Sequence, residues 1–213
     1  MWLWKVKYDL SLLKKVLSKN MPSSFEEGKL IFVHIPKTAG LSLALTLFGE
    51  EVGHFPVWVY RAILGDEYND YFSFSFVRHP VDRLISAYYF LKQGGMKEHK
   101  TDRMFKEKVV DKYSTFESFV LEYLNEKTIY SYIHLFPQSY FLTYKGEIIV
   151  SFLGRVENMK ESIKALEERL NRKIDLPVLN KSNRPRGSLS IGEDVFQKIR
   201  HLYKKDFTLL GYT

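Results

Sequence analysis

Short apolar runs followed by helical patterns organise the first half of the chain. Residues 30–33 are Leu-Ile-Phe-Val between turn-forming residues, which predicts a buried strand. Residues 41–48 then predict a helix that ends at a glycine. A second β-forming run over residues 72–77 leads into a predicted helix that begins at Pro80 and ends near Leu91. Two strand–loop–helix units in tandem predict an α/β fold with a central parallel sheet flanked by helices.

The second half of the chain has more helical patterns than strand patterns. Residues 114–117 fit a capping box ahead of a helix, and residues 157–171 place apolar side chains on one helical face. Residues 148–153 are mostly apolar and are followed by a glycine, which predicts a further buried strand. The basic, polar stretch 179–187 has no apolar periodicity, so we expect it to be an exposed loop.

Residues 1–24 have a pattern of their own. Apolar side chains recur there at helical spacing with lysines between or after them: Leu10, Leu13, Val16 and Leu17. We interpret this stretch as a peripheral helix that packs on the domain. The alternative is a basic amphipathic helix that touches a membrane surface. The chain has no stretch near the ~18 consecutive apolar residues that a membrane span needs, so we expect no transmembrane segment.

Composition narrows the class of protein. The chain has 213 residues, 32 Lys+Arg against 25 Asp+Glu, and a formal net charge of +7. That length fits a single domain over residues 1–213. Cysteine is absent, which excludes disulfides, thiolate metal sites and Cys nucleophiles and permits a reducing cytosol. With 45% hydrophobic residues the chain is not a disordered one, and its positive charge points to anionic partners.

The strongest chemical signal lies in residues 34–42, where the first predicted strand leads into a helix. Backbone N–H groups at such a junction are unpaired and the helix dipole favours an anion. Lys37 adds a full positive charge, and Thr38 and Ser42 add hydroxyl groups. The pattern predicts a phosphate-binding loop, although it lacks the glycine that precedes the lysine in a Walker A motif. The alternative is a plain turn between strand and helix.

A second signal follows the second predicted strand. Arg78 comes at the carboxyl end of that strand, where α/β folds bind ligands. Ser86 lies eight residues further, two turns into the next helix. An arginine fork and a hydroxyl directed at one point suit a second phosphate group. The alternative is that Arg78 or Arg83 forms an ion pair with Asp82 or another surface carboxylate.

Together the two motifs resemble the phosphate-binding motifs of sulfotransferases that use 3′-phosphoadenosine 5′-phosphosulfate (PAPS). More narrowly, the chain resembles the family that includes heparan and chondroitin sulfate 2-O-sulfotransferases and many bacterial carbohydrate sulfotransferases. Residues 34–40 match its H-I-P-K-T-A-G, and residues 77–88 match its V-R-[DNH]-P-x-x-R-x-x-S-x-Y. The resemblance spans about residues 29–213. Weaker matches occur at residues 53–55, 137–138, 154–158 and 205–212.

The resemblance implies a P-loop-like, three-layer α/β fold and PAPS as co-substrate, with PAP as product and no metal. It implies that the 5′-phosphosulfate is cradled by Lys37, Thr38, Ala39, Gly40, Leu41 and Ser42. It implies that Arg78 and Ser86 hold the 3′-phosphate. A loop closing over the adenosine is implied at Lys181, Ser182 and Arg184.

The sequence departs from the family pattern at two positions. Leu41 stands where the family commonly has Thr, which removes a hydroxyl group but keeps the backbone N–H. Val52 stands where the 2-O-sulfotransferases carry the first histidine of an H-G-H, which leaves His54.

Sulfonate transfer by in-line displacement needs a base for the acceptor hydroxyl and a positive charge near the leaving oxygen. His54 is the candidate base, because imidazole titrates near neutral pH and the family match supports it. His134 and His34 remain alternatives, although His34 is better placed to orient the loop. Lys37 would stabilise the charge that develops on the oxygen bridging phosphorus and sulfur.

The expected reaction moves a sulfonate group from PAPS to an acceptor hydroxyl, most often on a carbohydrate in this family. Two other readings stay open: a nucleotide kinase or NTPase-like P-loop enzyme, and a catalytically silent module that binds PAP or a glycan. We expect no nucleic-acid partner, because the basic residues do not gather on one recognition helix. Golgi relatives have a membrane anchor, and without such a span we expect a soluble, cytoplasmic, bacterial enzyme.

Overall fold

A computed structural model of the chain describes residues 3–176 and 191–213. Within them the α-helices are α1 (Leu3–Ser18), α2 (Ser23–Gly28), α3 (Gly40–Phe48), α4 (Val57–Leu64), α5 (Pro80–Lys92), α6 (Lys100–Lys108), α7 (Phe116–Ser118), α8 (Gln138–Leu142), α9 (Met159–Leu170), α10 (Glu193–Leu202) and α11 (Lys204–Leu210). The strands are β1 (Leu30–Phe32), β2 (Phe72–Val77), β3 (Thr143–Tyr144), β4 (Glu147–Ile148) and β5 (Phe152–Arg155). A π-helix over Phe119–Tyr123 continues α7.

A parallel sheet with strand order β1-β2-β5 lies at the centre of the fold. Leu30 pairs with Phe72, and Phe74 pairs with Phe152. The middle strand β2 is buried from its second residue onward, so its serines as well as its phenylalanines face protein. The hydroxyl of Ser75 is satisfied by donating to the Val33 carbonyl at 2.6 Å. With α2 packed on β1 and α9 packed on β5, the predicted α/β class and central parallel sheet flanked by helices are confirmed.

The chain packs as two compact units. The first unit takes residues 3–78 and 138–176 of the described chain and contains all five strands with α1–α4, α8 and α9. The second unit takes residues 79–137 and 191–213 and contains α5–α7, α10 and α11. A single domain over residues 1–213 stays a prediction.

The strand predicted over residues 148–153 is wrong in its bounds. Ile148 pairs with Thr143 in the antiparallel β3–β4 hairpin, whereas the parallel strand β5 begins only at Phe152. Gly154 explains the shift, because a Cβ at this position would lie 2.5 Å from the Phe76 ring on β2. Gly154, which the sequence pattern placed after the strand, therefore lies within β5 and pairs with Phe76.

Two helices differ in detail from the sequence prediction: α7 in where it begins, and α1 in which side packs. The capping box forms one residue later than expected: Thr115 and Ser118 exchange side-chain-to-backbone hydrogen bonds. In α1 the apolar periodicity does form a helix, yet Leu12 is buried while Leu10 and Leu17 are exposed. The side of α1 that packs on α4 is therefore not the face with the predicted apolar spacing.

In the part of the chain that the structure describes, no helix combines the length and the apolar character needed to cross a membrane.

Candidate functional site

The loop between β1 and α3 has an unusual backbone. Lys37 and Ala39 both adopt left-handed conformations, with φ of 71° and 61°, on either side of Thr38. Non-glycine residues take this conformation at a cost, and such strain concentrates at ligand-binding loops. Alternating backbone handedness turns successive N–H groups toward one side, which forms a concave anion-binding site. The loop thus has a concave backbone of the kind that binds anions.

Thr38 holds this strained loop together. Its side chain is fully buried, and its hydroxyl donates to the Ile35 carbonyl at 2.9 Å. A hydroxyl has a single hydrogen to donate, so the Thr38 hydroxyl already uses its hydrogen within the loop. Ala39 is exposed, while Lys37 is half-buried and Ser42 is buried on the first turn of α3.

Gly40 and His34 fit against each other at the start of α3. A Cβ at position 40 would lie 2.0 Å from Cδ2 of the His34 ring, so the position demands glycine. The His34 ring is buried and stacks on Phe32, with ring centroids 5.4 Å apart. His34 therefore sets the position of the helix start, which supports the orienting role that the sequence favoured for it.

His54 contacts the first residue of the same loop. Its Nδ1 lies 2.9 Å from the backbone carbonyl of His34, and the two imidazole rings are 4.2 Å apart. Because a carbonyl only accepts, Nδ1 is the protonated ring nitrogen, and in the neutral ring Nε2 bears the lone pair. The structure thus brings His54 together with the phosphate loop within the first unit.

The segment around His54 is fixed from both sides. The Tyr8 hydroxyl donates to the His54 carbonyl, and burial raises the pKa of this phenol, so it remains a protonated donor. Gly53 has φ of 70°, and a Cβ there would lie 2.7 Å from the Phe55 ring. Val52, where the sequence departs from the H-G-H of the pattern it resembles, is buried in the core.

Arg78 is held by its backbone at the end of β2. Its N–H donates to Oε1 of Gln138 at 2.9 Å, and its carbonyl accepts from Nε2 of Gln138 at 2.7 Å. Gln138 is fully buried at the start of α8. The sequence offered Pro137-Gln138 only as a weak family match, so the role of Gln138 was missed.

The phosphate loop and Arg78 lie at the same edge of the sheet. The loop follows β1, Arg78 follows β2, and these neighbouring strands are parallel. Carboxyl ends of adjacent parallel strands lie side by side, and this edge is where open α/β sheets bind ligands. The half-buried side chains of Lys37 and Arg78 therefore belong to one positively charged edge.

This architecture agrees with a comparison to known families. The family model described as the sulfotransferase family matches residues 59–213, which is more than half of the chain. The chain belongs to the sulfotransferase family. Comparison with curated proteins and with solved structures finds no match. The matched part of this sulfotransferase contains Arg78 and Ser86 and begins after the phosphate loop and His54.

The second unit of the sulfotransferase contains Ser86 and Arg83 on α5. Ser86 is buried. Arg83 is fully buried and donates to the carbonyls of His134 at 3.1 Å and Phe136 at 2.8 Å. Burial lowers the pKa of the Arg83 guanidinium. Nearby Tyr203 and Asp206 raise this pKa and so partly offset the effect of burial. Because Arg83 is fully buried, it does not form the surface ion pair with Asp82 that the sequence left open.

His134, one of the alternative bases, is a buried ring in the second unit. It stacks between Phe90, with centroids 4.9 Å apart, and Tyr132, with centroids 5.5 Å apart. This surrounding is typical of a packing histidine rather than of a base that meets substrate.

The predicted adenosine loop and the question of a metal site concern other parts of the chain. Lys181, Ser182 and Arg184 lie outside the described residues. Among residues 3–176 and 191–213, no three His, Asp or Glu side chains are grouped so that they could hold a metal ion.

Proposed function

We propose that this sulfotransferase moves a sulfonate group from PAPS to a hydroxyl of an acceptor. The observation that carries the proposal is the edge of the first unit. There, the strained phosphate loop follows β1, and Arg78 follows β2 with its backbone bonded to Gln138. His54 donates from Nδ1 to the carbonyl of His34 at the start of the same loop. No metal is part of the scheme.

The donor would be held through its phosphate groups. The backbone of residues 37–42, with Lys37 and Ser42 from its side chains, binds the 5′-phosphosulfate. Arg78 and Ser86 bind the 3′-phosphate, since a guanidinium fork matches phosphate geometry. The resemblance assigns contacts with the adenosine to Lys181, Ser182 and Arg184, which lie outside the described residues. The exposed Ala39 supports this arrangement, because its small side chain leaves the loop backbone beside it accessible to an anion.

The acceptor hydroxyl loses its proton to Nε2 of His54, because Nδ1 already donates to the His34 carbonyl. The acceptor oxygen then forms a bond to sulfur as the bond between sulfur and the bridging phosphate oxygen breaks. The Lys37 ammonium balances the negative charge on that leaving oxygen. PAP leaves with the electron pair, and the proton on His54 returns to solvent.

A carbohydrate acceptor is what the resemblance implies. An open groove of about 550 Å³ lies beside the His54 segment; Gly53 and Phe55 line it together with polar side chains that include Lys15, Glu50 and Glu51, while His54 is not among its lining residues. A cavity of this size suits a small ligand. Carboxylates and an ammonium group can bind the many hydroxyls of a sugar.

The donor is tested by thermal shift. PAP should raise the melting temperature of the wild-type protein, whereas ATP with Mg²⁺ should not, because a specific ligand stabilises the fold by mass action. Stabilisation by ATP–Mg²⁺ alone would favour a kinase or NTPase. The loop argues against that class, since it lacks the glycine before Lys37.

Transfer itself is tested with PAPS labelled in the sulfonate group and a panel of carbohydrates, with products identified by mass spectrometry. Label should appear on an acceptor hydroxyl. PAP binding without transfer to any acceptor would instead support a catalytically silent binding module.

A further inference from the structure

The outward side of α1 carries a continuous apolar stripe. Its members are Val6, Leu10, Leu13 and Leu17, which are 38%, 53%, 52% and 83% exposed. At 3.6 residues per turn the four positions fall within about 60° around the helix axis. Single exposed hydrophobic residues are normal on a protein surface, but a stripe along a whole helix marks an interaction site.

The stripe is not simply the packing face of a displaced helix. The opposite side of α1 is already packed within the first unit: Leu12 is buried and the Tyr8 hydroxyl donates to the His54 carbonyl. Nζ of Lys15 lies 4.1 Å from the centre of the Phe55 ring. With that side held against the unit, the apolar stripe faces outward.

The exposed charges beside the stripe are lysines, while the half-buried Asp9 lies on its other flank, about 70° from its centre. Lys7 and Lys14 are exposed and lie on one flank of the stripe, about 80° from its centre. The acidic residue of α1, Asp9, is half-buried, and its carboxylate lies 3.5 Å from the Tyr140 hydroxyl of the first unit. The outward surface of α1 therefore combines apolar side chains with lysines.

We propose that α1 seats this protein on a lipid surface that carries anionic headgroups. Val6, Leu10, Leu13 and Leu17 enter the boundary between headgroups and acyl chains, and Lys7 and Lys14 meet the anionic headgroups. A helix that lies in the interface needs an apolar face and a basic flank, and it does not need the length of a membrane span.

Charge is what favours a lipid surface over a second copy of the chain. In a symmetric pair of α1 helices the same surface meets itself, so the lysines of both copies gather at one interface. The flank that carries Lys7 and Lys14 has no carboxylate to balance them, since Asp9 lies on the opposite flank against the Tyr140 hydroxyl. Anionic headgroups supply the balancing charge.

Because α1 contacts the His54 segment, binding of α1 to a lipid surface would also set where the proposed base lies. Tyr8 on its inner side bonds the backbone of His54, so a lipid-bound α1 places the proposed base close to the headgroup level. The docking itself rests on α1 alone and not on the proposed reaction.

Vesicle co-sedimentation of the full chain tests the proposal. We expect wild-type protein to pellet with vesicles of phosphatidylcholine plus phosphatidylglycerol and to stay in solution with phosphatidylcholine alone, and we expect binding to fall as salt rises. Replacing Leu10, Leu13 and Leu17 together by Gln, a good helix former, should abolish binding. Lys7→Gln with Lys14→Gln should weaken it on the order of tenfold.

Matched controls exist for both variants. Met104, Leu121 and Leu209 are also exposed apolar residues, and their triple replacement by Gln should leave vesicle binding unchanged. Lys160 and Lys164 are exposed on α9 of the same unit, so Lys160→Gln with Lys164→Gln removes the same charge without affecting binding. Circular dichroism and the melting temperature without ligand report folding of every variant.

Three results would overturn the proposal. Wild-type protein could remain in solution with anionic vesicles, or the triple Gln variant of α1 could bind them as wild type does. Alternatively, analytical ultracentrifugation without lipid could show a dimer that this variant dissociates, which would make a second copy the occupant. If the triple variant does not fold, the Lys7 and Lys14 variant decides, and unchanged binding there contradicts the proposal. A failed sulfonate-transfer assay affects none of these readouts.

Discussion

The phosphate-loop edge of the first unit and the surroundings of Arg83 in the second use the same residue types for opposite purposes. Each contains an arginine and a histidine. At the edge, Arg78 and His54 are half-buried: the side-chain amide of Gln138 bonds the backbone of Arg78, and Nδ1 of His54 donates to the His34 carbonyl. In the second unit, Arg83 is fully buried and both of its terminal nitrogens bind carbonyls.

The difference shows how burial decides the use of a polar side chain. A guanidinium with its donors committed to buried carbonyls stabilises the fold, because removing it leaves those carbonyls unsatisfied. The Arg78 side chain is only half-buried, so a ligand can reach its guanidinium fork. The same reasoning separates the half-buried His54, whose Nδ1 donates to the His34 carbonyl, from the buried His134, which stacks on two aromatic rings.

The largest expected effect separates the two histidines. His54→Ala should lower the rate of sulfonate transfer by about 10²–10⁴-fold, because a general base contributes that much. PAP should still raise its melting temperature as in wild type. His134→Phe, which keeps a ring between Phe90 and Tyr132, should retain transfer. Normal turnover in the His54 variant, with loss in the folded His134 variant, would make His134 the base.

Substituting the two arginines should affect different properties: Arg83 stability and Arg78 PAP binding. Arg83→Met should cost about 3 kcal/mol of unfolding free energy, because it removes two hydrogen bonds to buried carbonyls. Arg78→Met should cost less stability than Arg83→Met, because Arg78 is half-buried and its backbone bonds to Gln138 remain, and it should weaken PAP binding. Urea unfolding and isothermal titration with PAP measure the two effects. A stable Arg83→Met protein would show that this arginine is not a structural centre.

The elements at the edge could be predicted because their signals are local. Short apolar runs mark β1 and β2, and the H-I-P-K-T-A-G loop lies between a strand and a helix in sequence as in structure. Gln138 could not be assigned a role, because it meets Arg78 across 60 residues of chain. Periodicity predicted α1 as a helix, but tertiary contacts through Tyr8 and Leu12 decide which side packs. Arg83 was open to a surface pair because sequence does not report burial.

A smaller effect is expected at Gly40. Gly40→Ala places a Cβ against the His34 ring, so the ring or the start of α3 must move, at a cost of about 1–3 kcal/mol. PAP binding should weaken because the loop follows that shift. Gly28→Ala is the matched control: its Cβ would meet Leu30 at 3.6 Å, an ordinary contact. Equal stability of the two variants in urea unfolding would contradict the role of Gly40.

The smallest effect should come from Gln138, which acts on the ligand only through the backbone of Arg78. Gln138→Ala removes both clasping bonds, and we expect KM for PAPS to rise about tenfold while kcat changes little, since each bond contributes on the order of 1 kcal/mol. Gln138→Glu keeps the acceptor for the Arg78 N–H and should lie between. Gln197→Ala, at an exposed glutamine of α10, should match wild type. A fall in kcat with unchanged KM would mean that Gln138 does not act through donor binding, because a clasp on Arg78 affects the donor phosphate and not the proton transfer at His54.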